Sequence, residues 1–246
     1  MTPHPVTGPL TDPGPEPLLE LRGLRAAYDG IDVLHGIDLV VHPGRVVAVL
    51  GPNGAGKSTT LKVLAGLHPA SGGDVVVAGR RVNGARADDL ARRGLCLIPE
   101  GRGIFPNLTV RENLQMMTHR GQTMAAVEEQ AASRFPQLSR FMGQSAGTLS
   151  GGQQQMLALA RGLATDPALL VLDELSMGLA PIIVDQLYET VGQVAAEGTS
   201  ILLVEQFARI VMDVADDAAV MVQGRIVATG KPRDLEASLS QAYLGG

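Results

Sequence analysis

A glycine-rich segment, residues 51–58, carries the residue types that bind phosphate groups. It reads Gly-Pro-Asn-Gly-Ala-Gly-Lys-Ser and fits the pattern G-x-x-x-x-G-K-[ST]. It follows an apolar segment, residues 45–50, that is typical of a buried strand, and it precedes a predicted helix. Glycines allow backbone N–H groups to turn inward around an anion, and the positive end of the helix adds to the attraction. Lys57 would then reach the β- and γ-phosphates of a nucleotide, and Ser58 would ligate Mg²⁺.

The segment therefore predicts a nucleotide-binding loop. Taken alone, it leaves a small-molecule kinase and a GTPase open as well as an ATPase. The candidate nucleotide-binding residues of the loop are Gly51, Pro52, Asn53, Gly54, Ala55, Gly56, Lys57, Ser58 and Thr59.

Two acidic residues follow a second apolar segment, residues 168–172. This segment is typical of a buried strand, and in open α/β sheets ligands bind at the carboxyl ends of the strands. We therefore expect Asp173 and Glu174 to face the nucleotide. Asp173 would hold Mg²⁺, and Glu174 would orient or deprotonate the attacking water as a general base. A solvated acidic strand end is the alternative, and the presence of the phosphate-binding loop argues against it.

Length and composition limit the other possibilities. The chain has 246 residues, enough for one large domain or two small ones. Its 20 Lys and Arg against 25 Asp and Glu give a net charge of −5, so the basic surface expected of a nucleic-acid-binding protein is missing. No apolar run is long enough to span a membrane. The single cysteine, Cys96, excludes an intramolecular disulfide and fits a small core residue.

The order of predicted elements places the two motifs in one sheet. Strand-like segments come first, and from residue 45 strands and helices alternate, which predicts an α/β fold with a parallel sheet. Residues 109–134 have helical spacing instead and predict a helical insert. The first 17 residues contain six prolines and two glycines and predict a flexible tail.

A third motif, Leu-Ser-Gly-Gly-Gln at residues 149–153, narrows the class. Alone it indicates no more than a linker or a helix N-cap. Ser150 of this motif lies 23 residues before Asp173. This arrangement resembles that of the ATP-binding cassette (ABC) ATPases, whose signature motif begins a helix before the Asp-Glu strand. The resemblance covers residues 18 to about 243. It implies a P-loop NTPase core with a parallel sheet, an N-terminal antiparallel β-subdomain and a helical subdomain at about residues 100–155, within one cassette over residues 18–246.

The resemblance also implies ATP and Mg²⁺ as cofactors and a head-to-tail dimer of two ATPase subunits. In such a dimer the signature motif of one subunit covers the ATP bound by the other, so a lone subunit has an incomplete site. The positions that match this role are Ser150, Gly151, Gly152 and Gln153. Residues 176–180 resemble the loop that meets the partner subunit.

Three further positions can be compared with the family one by one, and two of them depart from its usual pattern. Tyr28 resembles the aromatic residue that stacks on adenine, and a buried sheet tyrosine is the alternative. Where most members have a glutamine that contacts Mg²⁺, this chain has Glu100, which can still ligate Mg²⁺ as a hard oxygen donor. Where most have a histidine that contacts the γ-phosphate, it has Gln206, which can donate a hydrogen bond and takes no proton.

These departures resemble the ATPase subunits of high-affinity branched-chain amino-acid importers. The matching segments are Pro-Glu-Gly-Arg at 99–102, residues 104–114, and Val-Glu-Gln at 204–206. The resemblance implies a second, different ATPase subunit, two transmembrane permeases and a solute-binding protein. It places the chain on the cytoplasmic face of the cell membrane, held there through the permeases. If Phe105 is exposed, it would suit a groove in which a permease docks. Packing of Phe105 in the core is an equally open alternative.

Four alternatives remain open. Importers of urea or short amides have closely similar ATPase subunits, and an exporter with separate permeases is compatible with the same motifs. A non-transport ABC ATPase is a third alternative, although the long coiled-coil insertion or second cassette usual in that class is missing. A non-hydrolysing regulatory subunit is the fourth, suggested by Glu100 and Gln206.

Overall fold

The computed structural model describes residues 16–101, 103–118 and 122–244. Most of the tail predicted for residues 1–17 lies outside these ranges, as does Arg102 of the 99–102 motif. The strands are β1 (Leu19–Tyr28), β2 (Ile31–Val41), β3 (Val46–Leu50), β4 (Gly72–Val77), β5 (Arg80–Arg81), β6 (Leu95–Ile98), β7 (Leu169–Asp173), β8 (Ser200–Glu205), β9 (Asp217–Val222) and β10 (Arg225–Gly230). The α-helices are α1 (Lys57–Leu64), α2 (Ala87–Arg92), α3 (Val110–Gln115), α4 (Met124–Arg134), α5 (Gly151–Leu163), α6 (Pro181–Ala196), α7 (Ala208–Val211) and α8 (Glu236–Leu244).

The strands form two sheets. An antiparallel sheet has the order β2-β1-β4-β5, and a six-stranded sheet has the order β10-β9-β3-β8-β7-β6. In the larger sheet all neighbours are parallel except β9 and β10, which form an antiparallel hairpin joined by residues 223–224. The predicted α/β class, with an antiparallel β-rich start and a helical insert, is confirmed.

Strand order brings the predicted chemical residues to one edge of the larger sheet. β8 lies between β3 and β7, with Leu50 paired to Glu205 and Asp173 paired to Val204. Because these strands are parallel, the segments that follow them leave the sheet at the same edge. The phosphate-binding loop, the Asp-Glu pair and the segment that begins at Gln206 are therefore neighbours.

Alternating side chains on the central strands bury both faces of this sheet. On β3, Val46, Ala48 and Leu50 pack toward the side of α5 and α6, whereas Val47 and Val49 pack toward α1 and the antiparallel sheet. Both faces are dominated by Leu, Val, Ile and Ala. Near-continuous apolar runs in β3, β7 and β8 are the pattern expected when a parallel sheet is covered on both sides.

The helical insert differs in detail from its prediction. Residues 109–134 form two helices, because Thr109 caps α3 in a capping box with Glu112 and Thr123 caps a new helix, α4. Helix α8 lies beyond the elements that the sequence predicted. In the described part of the chain, no helix combines the length and the apolar character that crossing a membrane requires.

Candidate nucleotide-binding site

The phosphate-binding loop joins β3 to α1, and two of its glycines are required by close packing. A Cβ atom on Gly51 would lie 2.1 Å from the carbonyl oxygen of Met221. Gly56 is the N-cap of α1, with a φ of +106°, and a Cβ there would meet the side chains of Met221 and Leu34 below 3.0 Å. Within the described residues no side chain caps α1. The N–H groups of its first turn therefore remain available to an anion.

A cleft of about 350 Å³ opens over this loop. It is lined by residues of the loop and of α1, by two of the three acidic candidates, Glu100 and Glu174, and by one further residue each from β2 and from the segment after Glu174. The full lining is Val33, Asn53, Gly54, Gly56, Lys57, Ser58, Thr59, Glu100, Glu174 and Met177. The fold thus brings the phosphate-binding loop together with Glu100 and Glu174. Gln206, the third residue predicted to act in catalysis, is not among the residues that line the cleft.

Lys57 is folded into the loop and carries the main positive charge of the cleft. Its side chain is 4% exposed, and its Nζ donates to the carbonyl oxygens of Gly51 at 2.8 Å and Pro52 at 3.2 Å. The same Nζ lies 3.3 Å from Oε1 of Glu174. A buried ammonium group is stabilised by such partners, and an entering phosphate could replace the carboxylate as its counter-ion.

Asp173 is the last residue of β7; it is buried and is not among the residues that line the cleft. Burial and the neighbouring charges of Glu174 and Glu100 raise the pKa of Asp173 to about 6, although a hydrogen bond from Ser58 and the charge of Lys57 oppose the rise. In the described part of the chain, Asp173 Oδ1 is buried without a hydrogen-bond partner. An orphaned carboxylate oxygen beside a serine hydroxyl is a hard-donor pair that fits Mg²⁺.

Glu174 adopts an unusual backbone conformation, with a φ of +47°. A residue with a side chain is uncommon in this region of φ and is held there by its surroundings. Its N–H donates to the carbonyl of Val204 at 2.9 Å, which ties the acidic pair to β8. Strained backbone of this kind clusters at functional sites, and here it directs the carboxylate toward Lys57.

The signature motif lies outside the residues that line the cleft. Ser150 caps α5, and its Oγ accepts the N–H of Gln153 at 3.4 Å, while Oε1 of Gln153 accepts the N–H of Ser150 at 2.9 Å. Gly151 begins the helix, and a Cβ on Gly152 would meet Ile183 at 2.5 Å. The predicted helix start is confirmed, and the motif is not assembled with the phosphate-binding loop of the same chain.

Tyr28 and Gln206 also lie outside the cleft lining. Tyr28 ends β1 and stacks on His68, with ring centroids 4.1 Å apart and 37% of its surface exposed. Gln206 follows β8, and its backbone carbonyl accepts the hydroxyl of Tyr243. The structure therefore contradicts the alternative of a fully buried sheet tyrosine at position 28. For Gln206, the described contact is through the backbone.

Sequence reasoning missed Tyr243, which α8 carries to the edge of the site. Its hydroxyl contacts the carbonyl of Gln206 and lies close to Gly51. Burial raises the pKa of Tyr243, and the nearby charges of Glu174 and Glu205 add to the effect. No local pattern could have found this residue, because 37 positions separate it from Gln206.

Comparison with known proteins identifies the family to which this chain is similar. The ABC transporter family model matches residues 34–176. The high-affinity branched-chain amino acid transport ATP-binding protein BraG of Pseudomonas aeruginosa is 41% identical over 234 residues, which cover 93% of this chain and 100% of BraG. BraF of the same organism, a protein of the same description, is 32% identical over 93% of this chain and 98% of BraF.

A solved structure agrees with the sequence relatives. The crystal structure of a nucleotide-free ATP-binding cassette from an ABC transporter superposes with a TM-score of 0.81 at 25% identity, and the match covers 94% of this chain and all of that one. The motifs described above, the family match and these relatives agree with one another. The chain therefore belongs to the ABC transporter family, as an ATP-binding cassette that couples ATP hydrolysis to transport.

Proposed function

We propose that this chain is one of the two ATPase subunits of a high-affinity importer of branched-chain amino acids. The observation that carries the proposal is the 41% identity to BraG over the whole of that protein. The Pro-Glu-Gly-Arg and Val-Glu-Gln segments point the same way. The residues of this site do not identify the solute, because a cassette of this kind binds ATP and acts on its permeases, and it does not contact the solute.

ATP would bind along the cleft with its phosphates on the N-terminus of α1. Gly51 to Thr59 would surround the phosphates, and the charge of Lys57 would neutralise the β- and γ-oxygens. Tyr28 would offer its exposed ring surface to adenine, with His68 supporting the opposite face. In this arrangement the γ-phosphate takes the place of Glu174 beside Lys57, so nucleotide binding separates the ion pair seen in the structure.

Mg²⁺ would be held by the Ser58 hydroxyl and the Asp173 carboxylate, with Glu100 reaching the ion from across the cleft. Among the residues that the structure describes, the buried Oδ1 of Asp173 has no hydrogen-bond partner, and this supports the assignment. When bound, the ion would neutralise charge on the phosphates. Glu100 lines the same cleft as Ser58, and its charge contributes to the raised pKa of Asp173.

Glu174 would act as the general base that orients or deprotonates the attacking water. Release from Lys57 would leave its carboxylate able to accept a proton from water in the same cleft. Gln206 would donate a hydrogen bond to the γ-phosphate from the adjacent strand end and would leave proton transfer to Glu174.

The second half of the site would come from another subunit. The signature motif lies at the start of α5 and does not line the cleft of its own chain, with Ser150 exposed and Gly152 buried against Ile183. This supports a head-to-tail dimer in which Ser150, Gly151, Gly152 and Gln153 face another subunit. Pseudomonas aeruginosa has both BraG and BraF, and the similarity of this chain to each supports a partner that is a different ATPase. Two permeases and a solute-binding protein complete the proposed system, with the chain held at the cytoplasmic face of the membrane through the permeases.

Phe105 is the candidate contact with a permease. Its ring is 42% exposed and lies under the guanidinium of Arg161, 4.8 Å from the ring centroid. An exposed aromatic residue five positions after Glu100 would pass movement of a permease to the Mg²⁺ ligands.

Solute uptake tests the proposal directly. Cells of the source organism that lack this chain should lose uptake of radiolabelled leucine, isoleucine and valine. The wild-type chain and Lys62→Ala, which alters an exposed lysine on the same helix, should restore it, and Lys57→Ala should not. Normal leucine uptake in the deletion strain, with loss of labelled urea uptake, would assign the chain to an amide importer instead.

A further inference from the structure

A buried carboxylate, Glu205, joins the strand end before Gln206 to the segment after Glu174. The residue is 1% exposed. Its Oε1 accepts the N–H of Ser176 at 3.0 Å and the hydroxyl of Tyr188 at 2.5 Å, and its Oε2 accepts the hydroxyl of Ser176 at 2.8 Å. Three elements, β8, α6 and the segment after β7, therefore meet on one carboxyl group.

The burial of this carboxylate requires these bonds. A buried carboxylate is costly unless its oxygens are hydrogen-bonded, and three donors supply that compensation here. Burial and the charge of Glu205 together raise the pKa of Tyr188 well above its ordinary value. Tyr188 therefore remains a hydroxyl donor to Glu205 across the physiological range of pH.

The hydrogen bonds between Glu205 and Ser176 constrain the chain close to Glu174, whose backbone is strained. Glu174 has a φ of +47°, and its N–H is held by the carbonyl of Val204, one residue before Glu205. Ser176, two residues beyond Glu174, is bound at both its N–H and its hydroxyl. Adjacent residues of β8 thus hold the chain on each side of the Glu174 side chain.

We propose that Glu205 is a positioning residue for ATP hydrolysis. It fixes Glu174 in its strained conformation, and it fixes the start of the 176–180 segment relative to Gln206. The inference rests on the proposed role of Glu174 as general base. If the 176–180 segment meets a partner subunit, the same bonds would transmit the arrival of that partner to the base. Such positioning matters because a shift of about 1 Å can cost about 100-fold in rate.

ATP hydrolysis by the complex purified with its permeases tests the proposal. Glu205→Ala should lower kcat at least tenfold, and KM for ATP should change less than about threefold, because the residue lies outside the nucleotide cleft. Glu205→Gln should recover most of the lost kcat. The carboxamide oxygen can accept from the N–H of Ser176 and the hydroxyl of Tyr188, and its nitrogen can donate to the hydroxyl of Ser176.

Ser200→Ala is the matched control. Ser200 is buried at the other end of β8, and its Oγ accepts the N–H of Gly44 at 2.9 Å. This variant removes a buried hydrogen bond from the same strand and should leave kcat unchanged. If Glu205→Ala does not fold, Tyr188→Phe removes one of the three bonds and should lower kcat by a smaller factor, with KM unchanged.

Two results would overturn the inference. One is a kcat for Glu205→Ala, or for Tyr188→Phe if only that variant folds, no lower than that of Ser200→Ala. The other is a kcat for Glu205→Gln as low as that for Glu205→Ala, because the charge of Glu205 and not the geometry of its hydrogen bonds would then determine the rate. Failure of the proposed function gives a different result, because a Glu174→Gln variant would then hydrolyse ATP at the wild-type rate.

Discussion

Two helices of this chain begin at glycine-rich turns that differ in how their first-turn N–H groups are used. At α1 the N-cap is Gly56, which offers no side chain, and the turn lies beside the buried ammonium group of Lys57. At α5 the N-cap is Ser150, whose side chain and that of Gln153 bond each other's backbone N–H groups on the exposed surface. The start of α1 therefore has N–H donors available to a ligand, whereas at the start of α5 some of the N–H donors are already bonded to side chains.

The difference indicates how ATP sites would be divided between subunits. The start of α1 combines N–H donors, a cation and a cleft, so it suits an anion without help from another chain. The start of α5, residues 150–153, carries no charged side chain, and none of these residues lines the nucleotide cleft of its own chain. It can contribute to a site only when another surface approaches it, and this supports the proposed head-to-tail dimer. Four substitutions test this contrast between the starts of α1 and α5.

The largest effect is expected from Glu174→Gln, on the α1 side. The variant keeps the shape of the side chain and removes the base, so ATP hydrolysis should fall by about 10²- to 10⁴-fold. ATP affinity should persist, because the phosphate contacts do not depend on this carboxylate. The measurement is phosphate release at saturating ATP, with Glu189→Gln on the exposed face of α6 as the control. Hydrolysis at the wild-type rate would show that Glu174 is not the base.

Lys57→Ala should abolish nucleotide binding by the single chain. It removes the cation that faces the phosphates, and loss of charge-assisted hydrogen bonds of about 1.5–3 kcal/mol each predicts at least a 100-fold loss of affinity. Titration with a fluorescent ATP analogue measures it. Lys62→Ala, in the last turn of α1, should bind as the wild type does. Equal affinity of the Lys57 and Lys62 variants would contradict the cleft as the ATP site.

Asp173→Asn should stabilise the metal-free protein at pH 8. A carboxyl group whose pKa rises to about 6 on folding binds protons more tightly in the native state, so it lowers stability as pH rises from about 4 to above 6. The free energy of unfolding of the variant should therefore be higher than that of the wild type by about 3 kcal/mol at pH 8, and the difference should vanish near pH 4. Urea unfolding with a chelator at several pH values measures it. A pH-independent difference would contradict the assigned cause.

Ser150→Ala should have the smallest effect on the single chain. Loss of the cap should cost about 1 kcal/mol of stability, while ATP affinity of the isolated chain stays unchanged. In the assembled complex, hydrolysis should fall as well. Thr123→Ala removes the cap of α4 in the same way and should cost similar stability without this loss of hydrolysis. Equal hydrolysis by the two variants would place the signature motif outside the active site.

The sequence predicted those parts of the site that depend on short segments. The phosphate-binding loop, the Asp-Glu strand end and the capped start of α5 are each defined within a few residues, and their backbone geometry follows from glycine, capping and strand propensity. The strands predicted at residues 45–50 and 168–172 were accurate for the same reason, since β3 and β7 are near-continuous apolar runs. The division of residues 109–134 into two helices was missed, although Thr123 is a recognisable capping residue.

Other features depend on strand order and on contacts between distant segments. The parallel order of β3, β8 and β7 was needed to place Lys57 beside Glu174 and to set Glu205 against Ser176 and Tyr188. The hydroxyl of Tyr243 reaches Gln206 only because α8 returns across the sheet edge. The sequence by itself thus determined which chemistry the chain carries, because local motifs fix local geometry. Only the tertiary structure decided which charges are paired, which oxygen is left without a partner and what holds the strained glutamate, because burial and long-range contacts set those energies.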